Sequence, residues 1–268
     1  MAVYVCGDTH CTHDIEKLKK FKHGKGAQLT KDDYVIVCGD FGLLFDNPAV
    51  LTWRGEVGQF IPSCSKDNSW SERELQLLKW YDDAPWTTLW IDGNHENFDR
   101  IELYPISEWH GGRVQKISDS VIHLMRGEVY DIDGHCYFCM GGAQSTDRGT
   151  ATGTEWKDEG IIWWRREIPT DVEWEYAHRN LAARDYKVDF IITHDVPSGV
   201  DIGAFGYRSS KVSEELETIR TVTNFKWWFC GHMHIDRDYF WKHLSVLYNR
   251  EPTDVEEYTN WESEHELV

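Results

Sequence analysis

Basic residues are in short supply. The chain carries 28 Lys and Arg against 46 Asp and Glu, for a net charge of −18. Such a surface repels polyanions, which excludes non-specific nucleic-acid binding through a basic groove. Long apolar runs are missing as well. None approaches the roughly 18 residues of a membrane-spanning helix, and no basic stretch precedes an apolar one, so neither an export signal nor membrane contact is expected. A disulfide framework is also lacking. The seven cysteines are odd in number, and Cys6, Cys38 and Cys230 sit in apolar strand-like runs where a small apolar residue is wanted. The only close pair, Cys136-x-x-Cys139, falls in a predicted strand, where residues three apart face opposite ways. This is the cysteine usage of a reduced, cytoplasmic protein. No repeat and no linker divides the chain. Residues 1–250 are expected as one domain, followed by an acidic, solvated tail over 251–268.

What the chain has instead is a recurring plan of apolar run, glycine, then a residue able to ligate a metal. The plan starts at the predicted strand Val3-Tyr4-Val5-Cys6, which runs into Gly7-Asp8-Thr9-His10. A helix follows, with Asp14 as its cap and Ile15, Leu18 and Phe21 as its apolar stripe. A second strand, Tyr34 to Cys38, ends in Gly39-Asp40-Phe41-Gly42. The capping box Ser71-x-x-Glu74 opens a helix continued by Leu75, Leu78 and Tyr81. A third strand, Thr87 to Ile91, ends in Asp92-Gly93-Asn94-His95-Glu96. Alternating strands and helices imply parallel strands whose carboxyl-end loops collect on one edge.

Four short strands come next: 113–117, 121–125, 128–132 and 135–140. The turn signal Asp133-Gly134 lies between the last two. They are expected as antiparallel partners in a second sheet packed on the first. A second capping box, Thr170-x-x-Glu173, opens a helix to about Asp185. Strand 188–192 leads to Thr193-His194-Asp195, and Ser213 caps a helix over roughly 214–223. Strand 226–230 leads to Gly231-His232-Met233-His234, and 239–241 with 244–248 form a closing hairpin. The fold class is therefore α/β, a two-sheet sandwich flanked by helices.

Five strand ends thus offer two carboxylates (Asp8, Asp40), one amide oxygen (Asn94) and the imidazoles of His10, His95, His194, His232 and His234. That set exceeds one tetrahedral ion and suits two ions, with Asp40 bridging them. Imidazole mixed with oxygen favours Mn, Fe, Zn or Ni over Ca or Mg, and two divalent or mixed-valence ions are expected, Mn or Fe first and Zn next. Two such ions about 3.5–4 Å apart would generate a bridging hydroxide at neutral pH to attack phosphorus. His95, beside Asn94, would protonate the leaving oxygen or hydrogen-bond the phosphoryl group. Eight other histidines, at 13, 23, 110, 123, 135, 178, 243 and 265, lack a strand-end context and are expected as ordinary surface or core residues.

The ordered set Gly-Asp-x-His, Gly-Asp, Gly-Asn-His-Glu, Thr-His and Gly-His-x-His, spanning Gly7 to His234, resembles the calcineurin-like metallophosphoesterase superfamily. The resemblance implies a four-layer αββα sandwich. It implies one metal on Asp8, His10, Asp40 and His234, a second on Asp40, Asn94, His194 and His232, and His95 as the catalytic histidine. The substrate would be a phosphate mono- or diester: a small molecule, a nucleotide or a phosphoprotein. Cys11 after His10, and Phe41-Gly42-Leu43 after Asp40, depart from the protein serine/threonine phosphatases of the superfamily. Asp195, Glu96 and Asp92 are expected to brace the ligand loops. Arg100, Arg148 and Arg208 are candidates to grip a monoester. Trp156, Trp163 and Trp164 are expected to pin the 143–168 loop to the body or to stack on a ring. A non-catalytic scaffold on the same fold is the alternative reading, although such relatives usually lose ligands.

Overall fold

The computed structural model describes residues 1–45, 69–146, 148, 153, 159–160, 162–203 and 209–259. In chain order they form β1 (Val3–Cys6), α1 (Glu16–His23), β2 (Tyr34–Val37), α2 (Glu72–Asp82), β3 (Thr87–Trp90) and α3 (Phe98–Ile101). Then come β4 (Ile106–Trp109), β5 (Gly112–Ser118), β6 (Val121–Leu124), β7 (Glu128–Ile132), β8 (His135–Met140) and α4 (Asp171–Ala182). The chain finishes with β9 (Phe190–Thr193), α5 (Lys211–Val222), β10 (Trp227–Cys230), β11 (Arg237–Tyr239), β12 (Leu244–Val246) and β13 (Thr253–Asp254).

The strands make two sheets. One has seven strands in the order β13-β1-β2-β3-β6-β5-β4, and the other has six in the order β11-β12-β10-β9-β8-β7. Strands β1, β2 and β3 run parallel, as do β8, β9 and β10. Strands β2, β3, β9 and β10 are short and buried throughout, which is why they appear as continuous apolar runs rather than alternating ones.

Three apolar layers hold the sandwich. Val5, Ile36, Leu89, Tyr137, Ile192 and Phe229 pack between the sheets. Leu18 and Phe21 of α1, with Leu77 and Tyr81 of α2, cover the outer face of the first sheet. Trp174, Ala177 and Leu181 of α4, with Leu216 and Ile219 of α5, cover the second. The result is the expected four-layer αββα arrangement.

Several details differ from the sequence reading. Only β7 and β8 of the four middle strands belong to the second sheet. β6 pairs parallel with β3 through Thr88↔Val121 and Trp90↔His123, and β5 pairs antiparallel with β6, so this hairpin extends the first sheet. The open edge of β3 takes β6 because all four β6 residues are buried and need cover on both faces. The tail is not solvated from Glu251 onward. Thr253 and Asp254 pair antiparallel with β1, and Val255 and Tyr258 are buried between the sheets, while 260–268 lie outside the described residues. Leu75 is exposed and Leu77 takes the core position on α2. Ser210, not Ser213, is the N-cap of α5; Ser213 is its reciprocal partner.

Candidate metal centre

Every predicted donor lies just beyond the carboxyl end of a parallel strand. Asp8 and His10 follow β1, Asp40 follows β2, Asn94 and His95 follow β3, His194 follows β9, and His232 and His234 follow β10. The parallel pairing places these ends on one edge, and the sandwich brings the two edges together. Asp8, His10, Asp40 and His234 each offer a ligand atom within 4.8 Å of the others, and so do Asp40, His194 and His232. Asn94 joins the second group, with Oδ1 3.2 Å from His194 Nε2. The structure therefore collects all seven predicted donors into two groups that share Asp40.

The hydrogen bonds around Asp40 show what the groups can hold. His194 Nδ1 lies 2.7 Å from the Cys38 carbonyl, which can only accept, so Nδ1 carries the proton. The Nε2 lone pair of the neutral ring then faces Asp40 Oδ1 and Asn94 Oδ1, each at 3.2 Å. His10 repeats the pattern: Nδ1 meets Asp14 Oδ2 at 2.7 Å and Nε2 faces Asp40 Oδ2 at 3.2 Å. Electron pairs converge on both oxygens of one carboxylate, and a proton or a cation must sit between them. An imidazole anchored through one nitrogen and aimed with the other is the arrangement of a metal-ligating histidine.

The electrostatics agree. Burial alone would push Asp40 up, but the His194 and His10 rings outweigh it and hold the carboxyl well below the usual range. Burial would likewise lower His194, yet the Asp40 carboxylate outweighs it and the ring is pushed up to about 10. Asp8 is lowered in the same way, against its burial, by His234 and His194.

Local backbone is distorted to make this fit. His10, Asp40, His232 and His234 have φ of 41°, 46°, 63° and 49°. Left-handed backbone at non-glycine residues costs about 1–2 kcal/mol each and clusters where function needs it. The neighbouring glycines are there for room. A Cβ on Gly93 would lie 2.1 Å from Asp40 Oδ1, and one on Gly231 would lie 2.1 Å from Asp8 Oδ1.

Buried groups brace the ligand loops. Glu96 accepts from the Phe41 and Gly42 amides at 2.7 and 3.1 Å, clamping the turn that presents Asp40. Burial, reinforced by the Asp40 charge, pushes the Glu96 carboxyl well above its ordinary value. Asp92 meets His123 and Arg126; burial alone would raise it, but Arg126 and His123 bring it down to about 2. Asp195 accepts from the Ser210 hydroxyl at 3.0 Å and from the Val196 amide at 2.7 Å.

His95 lies beside the cluster, next to Asn94. Its amide donates to Asp40 Oδ1 at 2.7 Å, and its half-buried ring lies 5.2 Å from the His10 ring and 6.1 Å from Phe45. A cavity of about 720 Å³ has Asp92 and Arg126 on its wall, but none of the seven donors lines it.

The expected arginines fare unevenly. Arg100 is fully buried and paired with Glu74, so it cannot reach a substrate. Arg148 pairs with Glu167 at 2.9 Å and lies over the Trp163 ring. Arg208 and Trp156 lie outside the described residues. Trp163 and Trp164 are buried and pin the segment to the body, with Trp164 Nε1 3.3 Å from Asp99. Sequence reasoning missed Asp14 as the anchor of His10. The pair meets across the turn between β1 and α1, where no regular spacing marks it in sequence.

The sequence pattern of the calcineurin-like phosphoesterase family matches residues 1–236. No curated protein matches the chain. One solved crystal structure aligns over 96% of this chain and 95% of its own at 12% identity, with a TM-score of 0.49.

Proposed function

This chain belongs to the calcineurin-like phosphoesterase family, and from that premise we propose that it is a hydrolase of phosphate esters working with two metal ions. The observation that carries the reading is the Asp40 carboxylate, with an anchored imidazole aimed at each of its oxygens. Asp8, His10, Asp40 and His234 would hold one ion, and Asp40, Asn94, His194 and His232 the other. The donor chemistry favours Mn or Fe, with Zn also compatible. When bound, such ions supply Lewis acidity toward phosphoryl oxygen and acidify water.

The remaining work falls to the chain. His95, beside Asn94, would meet the leaving or phosphoryl oxygen of a bound ester, where its ring would donate or hold a proton. Glu96 and Asp14 keep Asp40 and His10 aimed. No described helix is long and apolar enough to cross a membrane. The free thiols of Cys6, Cys11, Cys38, Cys136, Cys139 and Cys230 support a cytoplasmic location. Residues 1–250, with β13 added to them, are taken as one catalytic domain.

The test is to strip the purified chain of metal, reload it with Mn²⁺, count bound ions and assay chromogenic mono- and diesters. His95→Ala is expected to keep both ions and lose about 10²–10⁴-fold in kcat. Two bound ions with no turnover of any ester would overturn the reading in favour of a scaffold.

A further inference from the structure

We infer that Lys17 is a positioning residue of the metal centre, stapling the two sheet ends at the separation that lets Asp8 and His234 serve one ion. The inference rests on the dinuclear reading above. Lys17 lies on the inner face of α1 and is only 3% exposed. An amine buried that deeply needs hydrogen-bond partners. Its Nζ donates to two main-chain carbonyls, those of Asp8 and Tyr248. Asp8 follows β1 of the first sheet, and Tyr248 follows β12 of the second. Lys17 therefore bridges the layers at the edge where the donors meet. The chains are tightly apposed there: a Cβ on Gly7 would come within 2.0 Å of the Leu247 carbonyl oxygen.

From Tyr248 the link continues to a donor. The Tyr248 ring lies flat on the His234 imidazole, with centroids 4.6 Å apart and planes within 8°, and Lys17 Nζ is 5.5 Å from the centroid of the same tyrosine. The Tyr248 amide is held by Asp236 Oδ1 at 2.7 Å. His234 is the donor most in need of this support. Its side chain is 49% exposed, its backbone is left-handed, and its Nε2 is 3.4 Å from Asp8 Oδ2. On the other ion's side, His194 is fully buried and braced independently by the Cys38 carbonyl. Loss of Lys17 should therefore be felt at one ion position and not at the other.

The experiment is a Mn²⁺ titration of metal-free wild type and Lys17→Met, reading bound ions by elemental analysis and their coupling by electron paramagnetic resonance. Wild type must bind two ions with an exchange-coupled spectrum. If it does not, the dinuclear reading fails whatever Lys17 does. With wild type at two, Lys17→Met is expected to keep one ion at wild-type affinity, bind the other about 10–100-fold more weakly and show an uncoupled signal. His234→Ala should give the same signature, and the double variant should be no weaker than His234→Ala alone. Two tight ions in Lys17→Met, or equal weakening at both positions, overturns the inference. Should Lys17→Met not fold, Tyr248→Leu leaves Lys17 and both carbonyls in place and removes the ring on His234 together with its hydroxyl contact to Asp14, which serves the same ion through His10. Selective loss of one ion is expected there too, and two tight ions in that variant would overturn the inference.

Discussion

Gly231→Ala probes the centre without altering any donor. Gly231 precedes His232, and its φ is not in the left-handed region, so alanine brings no backbone penalty of that kind. The difficulty is steric. The added methyl would sit 2.1 Å from Asp8 Oδ1 and 3.0 Å from the Cys38 carbonyl oxygen. The first distance is about 1.3 Å short of ordinary contact, so the Asp8 carboxylate must retreat by roughly that much. In doing so it leaves the His232 amide, which it now accepts at 3.1 Å, and draws away from His234. Overpacking of this kind costs about 1–3 kcal/mol of stability. A donor displaced by about 1 Å can cost about 10² in rate, because the reacting groups lose their alignment. The variant is expected to fold with a lowered Tm, to weaken the ion served by Asp8 and His234, and to lose about 100-fold in kcat on a chromogenic ester. Gly134→Ala is the control. It has φ of +80° and nothing within 4 Å of the added methyl, so it carries a strain cost of about 1–2 kcal/mol far from the donors. Its metal content and kcat should match wild type. A Gly231→Ala protein that holds two ions and turns over normally would refute the steric reasoning. So would a Gly134→Ala protein that loses metal to the same degree.

Asp14→Ala removes the acceptor that fixes the His10 ring, and Mn²⁺ affinity at that position should fall about 10–100-fold in a titration. Glu74→Gln leaves Arg100 buried beside a neutral partner and should cost about 3–5 kcal/mol in denaturant unfolding. Its kcat per folded molecule should stay unchanged, because this pair does not touch the donors. The metal-free chain should lose stability as pH rises from 7 to 8. His194 has a folded value of about 10, above its unfolded value, so its contribution is complete below about 6.5 and drains away upward at about 1.4 kcal/mol per pH unit. His10, raised by Asp40 against its burial, adds in the same direction. His194→Gln should flatten much of that slope in denaturant melts at the two pH values, and an equally steep slope in the variant would contradict the assignment.

The strand ends were legible in the sequence because each joins two local signals that need no tertiary knowledge. A four-residue apolar run announces a strand buried on both faces, and a glycine before a polar residue announces close approach. Gly93 and Gly231 show why the second signal works: the space a Cβ would fill is occupied by Asp40 and Asp8. What stayed hidden depends on contacts between residues far apart in the chain. Nothing local in Val121–Leu124 says that it will pair with β3 rather than join the next sheet; only the open edge of β3 decides. Nothing near Thr253 says that β1 has a free edge to receive it. Charge patterning misled for a related reason. Arg100 looks free to reach a substrate and Glu74 looks like a cap alone, yet both are buried with Lys17 and Glu96, because each meets a partner supplied by another segment. Asp14 looked like a helix cap and is instead committed to His10. The donors could thus be read from the chain, and so could Glu96 beside its donor loop, whereas Asp14 as the brace of His10 could not. A donor is chosen for its own chemistry, while a brace is defined by what it touches.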